Sequence, residues 1–279
     1  MIAFIGSVFS PYYAAARRRG PADPLDHVNI NAILYTPRGK YWAMTERGRG
    51  ALSRTSHRLA IGPSALAFEE GKLTISIEEW TVPLPRRLSG QIVIDTGALA
   101  TTRFALDDAG RHHWQPLAPT ARASVRFARP DLAWQGKAYV DMNTGAVPLE
   151  DDFRSWTWSR EDAGASTRIL YDVEQRQGGP RSLALDYGRD GAIERFTPGP
   201  RVALPTTGWR VGRSTRAEAE APARVVKTFE DTPFYSRSLL AFGSDASETH
   251  AMHESVDFDR FRSRWVQTLL PFKMPRRSG

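Results

Sequence analysis

The sequence contains no cysteine. That excludes a disulfide scaffold, a thiol nucleophile, an iron–sulfur cluster and any thiolate zinc site, and it suits a reducing compartment. There is no apolar run of the ~20 residues that a membrane helix needs. The apolar start MIAFIGSVFS is too short and has no positive flank before it, and Pro11 follows it, so it does not read as a signal peptide. Neither a GxxxxGK(S/T) nor a GxGxxG loop occurs, and Arg47-Gly48-Arg49-Gly50 is a charged turn rather than a phosphate cradle. No GxSxG elbow presents a serine. These gaps speak against nucleotide-dependent and nucleophile-based chemistry.

What is present is globular. The 279 residues are 41% hydrophobic and 25% charged, enough to bury a core without disulfides in one large domain or two small ones. Lysine and arginine number 38 against 31 acids, a formal +7. Such a balance favours nucleic acid, an anionic membrane surface or an acidic substrate. The charge is scattered apart from Arg17-Arg18-Arg19 and Lys273–Arg277, and otherwise reads as a solvated surface. Nucleic-acid binding needs aromatics and arginines gathered on one exposed face, and no such gathering is visible, so no nucleic acid is expected.

Short alternating runs dominate. In HVNINAILYT, Val28, Ile30, Ala32 and Leu34 share one face; in KLTISIEEW, Leu73, Ile75 and Ile77 do. Period two marks half-buried strands. Similar runs recur at 65–68, 91–95, 112–117, 123–127, 132–141, 154–159, 168–174, 183–187, 192–196, 223–229, 235–242 and 249–256. The expected architecture is therefore a β sandwich or barrel. PYYAAARRRGPADPLD reads as a loop. MNTGAVPLEDDF, with glycine, proline and three acids, reads as a linker, giving two β-rich halves, 1–147 and 148–279. DFDRFRSRWVQTLL has helical spacing: Phe258, Phe261, Trp265, Val266, Leu269 and Leu270 form a stripe that can cover a β core or lie on a membrane.

Few residues offer chemistry. No metal is expected: His250 and His253 lie three apart, which on a strand points them to opposite faces. His112 and His113 diverge in the same way. Asp141 ends a strand between Tyr139 and Asn143. Among aromatics a carboxyl group is desolvated and holds its proton to higher pH, as a general acid requires; the alternative is a turn-forming aspartate. Trp156 and Trp158 share a strand face, as core or as an aromatic wall for an apolar or cationic species.

Six blocks carry a family resemblance: IAFIGSVFSPYYA, DPLDHVNINAILYTPRGKYWAMTERGRGAL, AYVDMNTGAVPLEDDFRSWTWSRE, EDTPFYSRSLL, MHESVDFDRF and WVQTLLPFKMPR. In this order, from residue 2 to residue 276, the chain resembles the carotenoid 1,2-hydratases (hydroxyneurosporene synthases) of purple photosynthetic bacteria. The resemblance implies an all-β fold of two lipocalin-like (calycin-like) β-barrel domains with a short C-terminal helix. It implies cofactor-independent addition of water to the terminal C1=C2 bond of neurosporene, lycopene and their 1-hydroxy derivatives. It also implies that the chain starts inside the family's opening strand, so that the first domain is shortened.

Asp141 matches the carboxylate of the family's Tyr-x-Asp-x-Asn motif and is the expected proton donor. His112 is expected to orient Asp141 or to position the water. Tyr139, Trp156, Trp158 and Asn143 are the expected substrate contacts. The substrate dissolves in lipid, so a cytoplasmic location is expected, peripheral on the inner or photosynthetic membrane, with the basic segments docking on anionic lipid. The competing reading is a carrier that binds a carotenoid or other apolar ligand without changing it.

Overall fold

A computed structural model describes residues 1–243 and 248–277. The alternating runs become strands. The chain opens with β1 (Ile2–Ile5), helix α1 (Pro11–Arg19), β2 (Val28–Thr36) and β3 (Gly39–Arg47). Next come β4 (Leu52–Arg54), β5 (Arg58–Ile61), β6 (Ser64–Glu69), β7 (Lys72–Trp80), β8 (Arg87–Asp95), β9 (Phe104–Ala105), β10 (His112–Arg129) and β11 (Asp131–Gly145). After the single helical turn α2 (Leu149–Asp152) follow β12 (Phe153–Asp162), β13 (Ser166–Gln175), β14 (Arg181–Gly188), β15 (Ile193–Arg195), β16 (Arg201–Leu204) and β17 (Arg213–Arg216). The chain ends in β18 (Ala223–Asp231), β19 (Tyr235–Phe242), β20 (Thr249–Asp257), α3 (Phe258–Arg262), α4 (Arg264–Leu269) and β21 (Arg276–Arg277).

By packing, the chain forms two units: residues 1–99, 121–139 and 267–279, and residues 100–120 and 140–266. In the first unit, a four-stranded sheet runs β1-β2-β3-β21. A larger sheet carries β8-β7-β6-β5-β4 beside the parts of β10 and β11 that belong to this unit. Val28, Ile30, Ala32 and Leu34 are buried, as the alternation of β2 requires, with Ile75 and Ile77 of β7. In the second unit, the sheet order is β15-β14-β13-β12-β20-β19-β18, with the hairpin β16-β17 separate. Its core includes Ile169, Tyr171 and Val173 of β13 and Leu183, Leu185 and Tyr187 of β14.

Three local expectations change. The segment after Pro11 is a helix, not a loop. Ser10 caps it, its Oγ accepting from Tyr13 N at 2.9 Å, Pro11 fills the first turn, and Arg17–Arg19 sit at the negative end of the helix dipole. Residues 112–129 form one strand, although Pro116 and Pro119 interrupt its reading. Only 122–129 pair with β8, so neither proline has to donate to that strand. Met142–Gly145 of the expected linker belong to β11, and Leu149–Asp152 make α2. The C-terminal helical segment is present, broken at Ser263 into α3 and α4. Among the described residues, no helix is long and apolar enough to cross a membrane.

Candidate functional site

In the second unit, β11 presents Asp141 half-buried and Asn143 exposed. Tyr139 shares their strand face by alternation, but it is counted with the first unit. On β10 the same alternation turns His112 and Trp114 inward, and both are buried. The indole Nε1 of Trp114 donates to Asp141 Oδ2 at 2.9 Å. This hydrogen bond anchors the site.

Around it stand aromatic rings. Trp114 meets Tyr171 edge-on, with centroids 5.7 Å apart, and Tyr171 meets Trp156 edge-on at the same distance. Trp156 continues edge-on to Phe258 at 5.0 Å. Such edge-to-face pairs contribute about 0.5–1.5 kcal/mol each beyond their burial. They also hold the rings in fixed orientation. Tyr171 lies in the core, and burial, together with the charges of Asp141 and Glu254, pushes its phenol well above the ordinary value. Tyr171 therefore stays neutral over the whole working pH range.

The antiparallel register extends this cluster. Trp158 lies opposite Tyr171 on β13 and opposite Glu254 on β20, and Glu254 lies opposite Arg237 on β19. Residues paired in this way share a face. One row thus runs Tyr171, Trp158, Glu254, Arg237, and Arg237 Nε donates to Glu254 Oε1 at 2.9 Å. The next row runs Val173, Trp156, Val256, Tyr235. The carboxyl group of Asp141, the phenol of Tyr171 and the indoles of Trp114, Trp156 and Trp158 are thereby gathered beside the Arg237–Glu254 ion pair.

His112 has different partners. Its Nε2 is 2.8 Å from Asp152 Oδ2, and its backbone N–H donates to Asp107 Oδ1 at 2.9 Å. Arg111 also binds Asp152 and donates its backbone N–H to Asp107 Oδ2. The ring packs on Phe153 at 4.8 Å and against the backbone of Gly145, where a Cβ would lie 2.6 Å from Nδ1. Trp114 Nε1 donates to Asp141 Oδ2, whereas His112 Nε2 meets Asp152. Of the expected residues, Asp141 and Trp156 are joined through Trp114 and Tyr171, and Trp158 lies on the same face.

Sequence reasoning missed Trp114, Tyr171, Glu254 and Asp152. Trp114 was within reach, two positions after His112 on an alternating strand. Tyr171 and Glu254 are brought in only by the strand register, which no local pattern reveals. Among the described residues, no group of three or more histidines, aspartates or glutamates could hold a metal ion. His250 is exposed and His253 buried, on opposite faces of β20.

A family model described as carotenoid hydratase CrtC matches residues 1–279. An acyclic carotenoid 1,2-hydratase of Thiocapsa roseopersicina is 50% identical over 280 residues, covering 100% of this chain and 69% of that protein. One from Rubrivivax gelatinosus is 43% identical, covering 99% and 69%. One from Cereibacter sphaeroides is 36% identical, covering 100% and 99%. Among solved structures, an AttH protein of Nitrosomonas europaea aligns with a TM-score of 0.52 and 9% identity, covering 83% of this chain and 86% of that one. That likeness bears on the fold alone, and the fold is all-β and lipocalin-like.

Proposed function

The chain belongs to the carotenoid hydratase family, and from that premise we propose that it adds water to the terminal C1=C2 bond of acyclic carotenes. Neurosporene, lycopene and their 1-hydroxy derivatives are the substrates of this reading. The protein is a hydro-lyase, and the product is a tertiary alcohol. The observation that carries the reading onto this chain is the Trp114–Asp141 hydrogen bond within a cluster of aromatic rings.

An isolated trisubstituted alkene is a weak base, so the first step needs a desolvated acid aimed at the less substituted carbon. Asp141 supplies it: the neutral indole binds Oδ2, and the proton rides on Oδ1 and passes to C2. The electron pair of the double bond forms the new C–H bond and leaves a tertiary cation at C1. A water oxygen attacks C1, and its extra proton returns to a carboxylate, restoring the acid. The ring faces of Tyr139, Trp156 and Trp158 lower the cation's energy by roughly 0.5–2 kcal/mol each. Since a factor of ten in rate needs about 1.4 kcal/mol, the placed acid and the exclusion of bulk water carry more of the effect than the rings. Tyr171, kept neutral, packs against the Trp114 that holds Asp141 and adds no charge beside it. His112 acts through the backbone of β10, fixed by Asp107 and Asp152, and Asn143 meets the substrate end.

The finer organisation is also proposed. The chain works in the cytoplasm at the inner or photosynthetic membrane. Its basic segments at Arg17–Arg19, the C-terminal helices and Lys273–Arg277 contribute attraction to anionic lipid.

The test is product formation. Purified protein is incubated with neurosporene or lycopene in detergent, with no added cofactor, and the extract is analysed by chromatography and mass spectrometry. The expected product is heavier by one water. Tight binding of the carotene with no such product would replace the hydratase reading with that of a carrier.

A further inference from the structure

In the first unit, the connection from β7 to β8 carries Pro83-Leu84-Pro85 followed by Arg86 and Arg87. Leu84 is 70% exposed, and Trp80, at the end of β7, is 48% exposed. The C-terminal segment of the same unit brings Phe272, 73% exposed, and Leu269. Trp42 on β3 ties the two segments together. Its carbonyl accepts from Val82 N at 2.9 Å, and Lys273 and Lys40 place their Nζ atoms 5.1 and 5.0 Å from its ring centre. On the other face of β3, where Tyr41 pairs with Leu34, Arg86 lies over the Tyr41 ring at 4.9 Å. Exposed apolar tips and cations therefore share one surface. Lys40 and Lys273 stand there beside the Trp42 ring, and Arg87, at the start of β8, pairs with Glu78 at 3.1 Å.

Large side chains exposed this far are costly in water when they cluster. Apolar tips between cations are suited to a surface that is apolar inside and anionic outside. We infer that this surface, with Leu84 and Phe272 as the inserting tips and Lys40 and Lys273 against the headgroups, docks the protein on an anionic lipid bilayer. It deepens the proposed function by naming where the protein meets the phase that holds its carotene, and it differs from docking by charge alone. Salt then weakens the first attraction but does not abolish binding once the tips are buried.

Because the chain has no cysteine, single labels are clean. Leu84→Cys and Phe272→Cys are each labelled with an environment-sensitive dye. Glu69→Cys serves as the control: it is exposed and lies at the far end of the β6–β7 hairpin, about 27–30 Å away at ~3.4 Å per residue of β7. Vesicles of equal phosphatidylglycerol and phosphatidylcholine should shift both tip labels to the blue and leave the control unchanged. Leu84→Glu with Phe272→Glu should weaken partition onto these vesicles at least tenfold, while turnover of detergent-dispersed lycopene stays as in the parent. Unshifted tip labels, or an equal response on pure phosphatidylcholine, would overturn the inference. A blue shift in a protein that makes no hydrated product would leave the docking surface standing and remove the hydratase reading instead.

Discussion

Glu79 in the first unit and Asp141 in the second both project from strands of antiparallel sheets, yet their surroundings differ in kind. Buried Glu79 receives Arg47 Nη2 at 2.8 Å on one oxygen and Ser64 Oγ at 3.1 Å on the other. The guanidinium and the carboxylate are both buried and paired, so each supplies the other's partner and the pair becomes part of the scaffold. At Asp141 the neutral indole of Trp114 binds Oδ2, with the rings of Trp114, Tyr171 and Trp156 in sequence behind it. A neutral donor serves either protonation state. The contrast sets a carboxylate paired with a guanidinium beside one that an indole meets, and the second is the one proposed as the acid.

The sharpest way to break this comparison is to remove the cation from the structural pair. Arg47→Leu leaves Glu79 buried without its counter-charge and should cost about 3–5 kcal/mol. The urea midpoint measures it, while turnover per folded molecule stays unchanged. A loss below about 1 kcal/mol, the level of an exposed pair, would mean that Glu79 does not depend on its cation.

Next in size is a pH effect at the buried His253. Burial pushes it down to about 4, although its Nε2 lies 2.9 Å from the Ser214 carbonyl and Glu254 favours its charge. Arg213 opposes that charge. Because the folded value lies below the ordinary one, the unfolded chain binds more protons between pH 6.5 and 4. The contribution is complete above about 6.5 and declines as pH falls toward 4, by up to about 3 kcal/mol. His253→Gln should flatten the stability profile in that window and leave it parallel to the parent above pH 7.

Smaller effects sharpen the other side. Trp114→Phe keeps a ring against Tyr171 but deletes the donor to Asp141. A hydrogen bond of about 1–1.5 kcal/mol predicts a fall in kcat of roughly tenfold per folded molecule, and the cavity left at this fully buried position lowers Tm by several degrees. His112→Ala should slow turnover by less than Trp114→Phe, because His112 bonds Asp152 rather than the acid. An unchanged rate would make His112 purely structural.

Much of the fold was legible in local patterns. KLTISIEEW becomes β7 with Ile75 and Ile77 buried, as alternation requires. Where reading failed, Pro was the cause. Ser10 and Pro11 are start signals for α1, and Gly20 with Pro21 and Pro24 belong only to the segment that follows the helix. Asp141 and Trp156 could be named as candidates from sequence because each sits in a short distinctive block. Tyr171 and Glu254 could not, because only hydrogen-bond register sets them beside Trp158, and register is a property of paired strands.

The most direct test of the central claim is turnover by Asp141→Asn. The amide preserves shape and can still accept from Trp114 Nε1, but it holds no transferable proton. With lycopene in detergent, the variant should keep the parent's circular dichroism and thermal midpoint, bind the carotene and form no hydrated product. Turnover near that of the parent would show that the proton comes from elsewhere and would contradict the account.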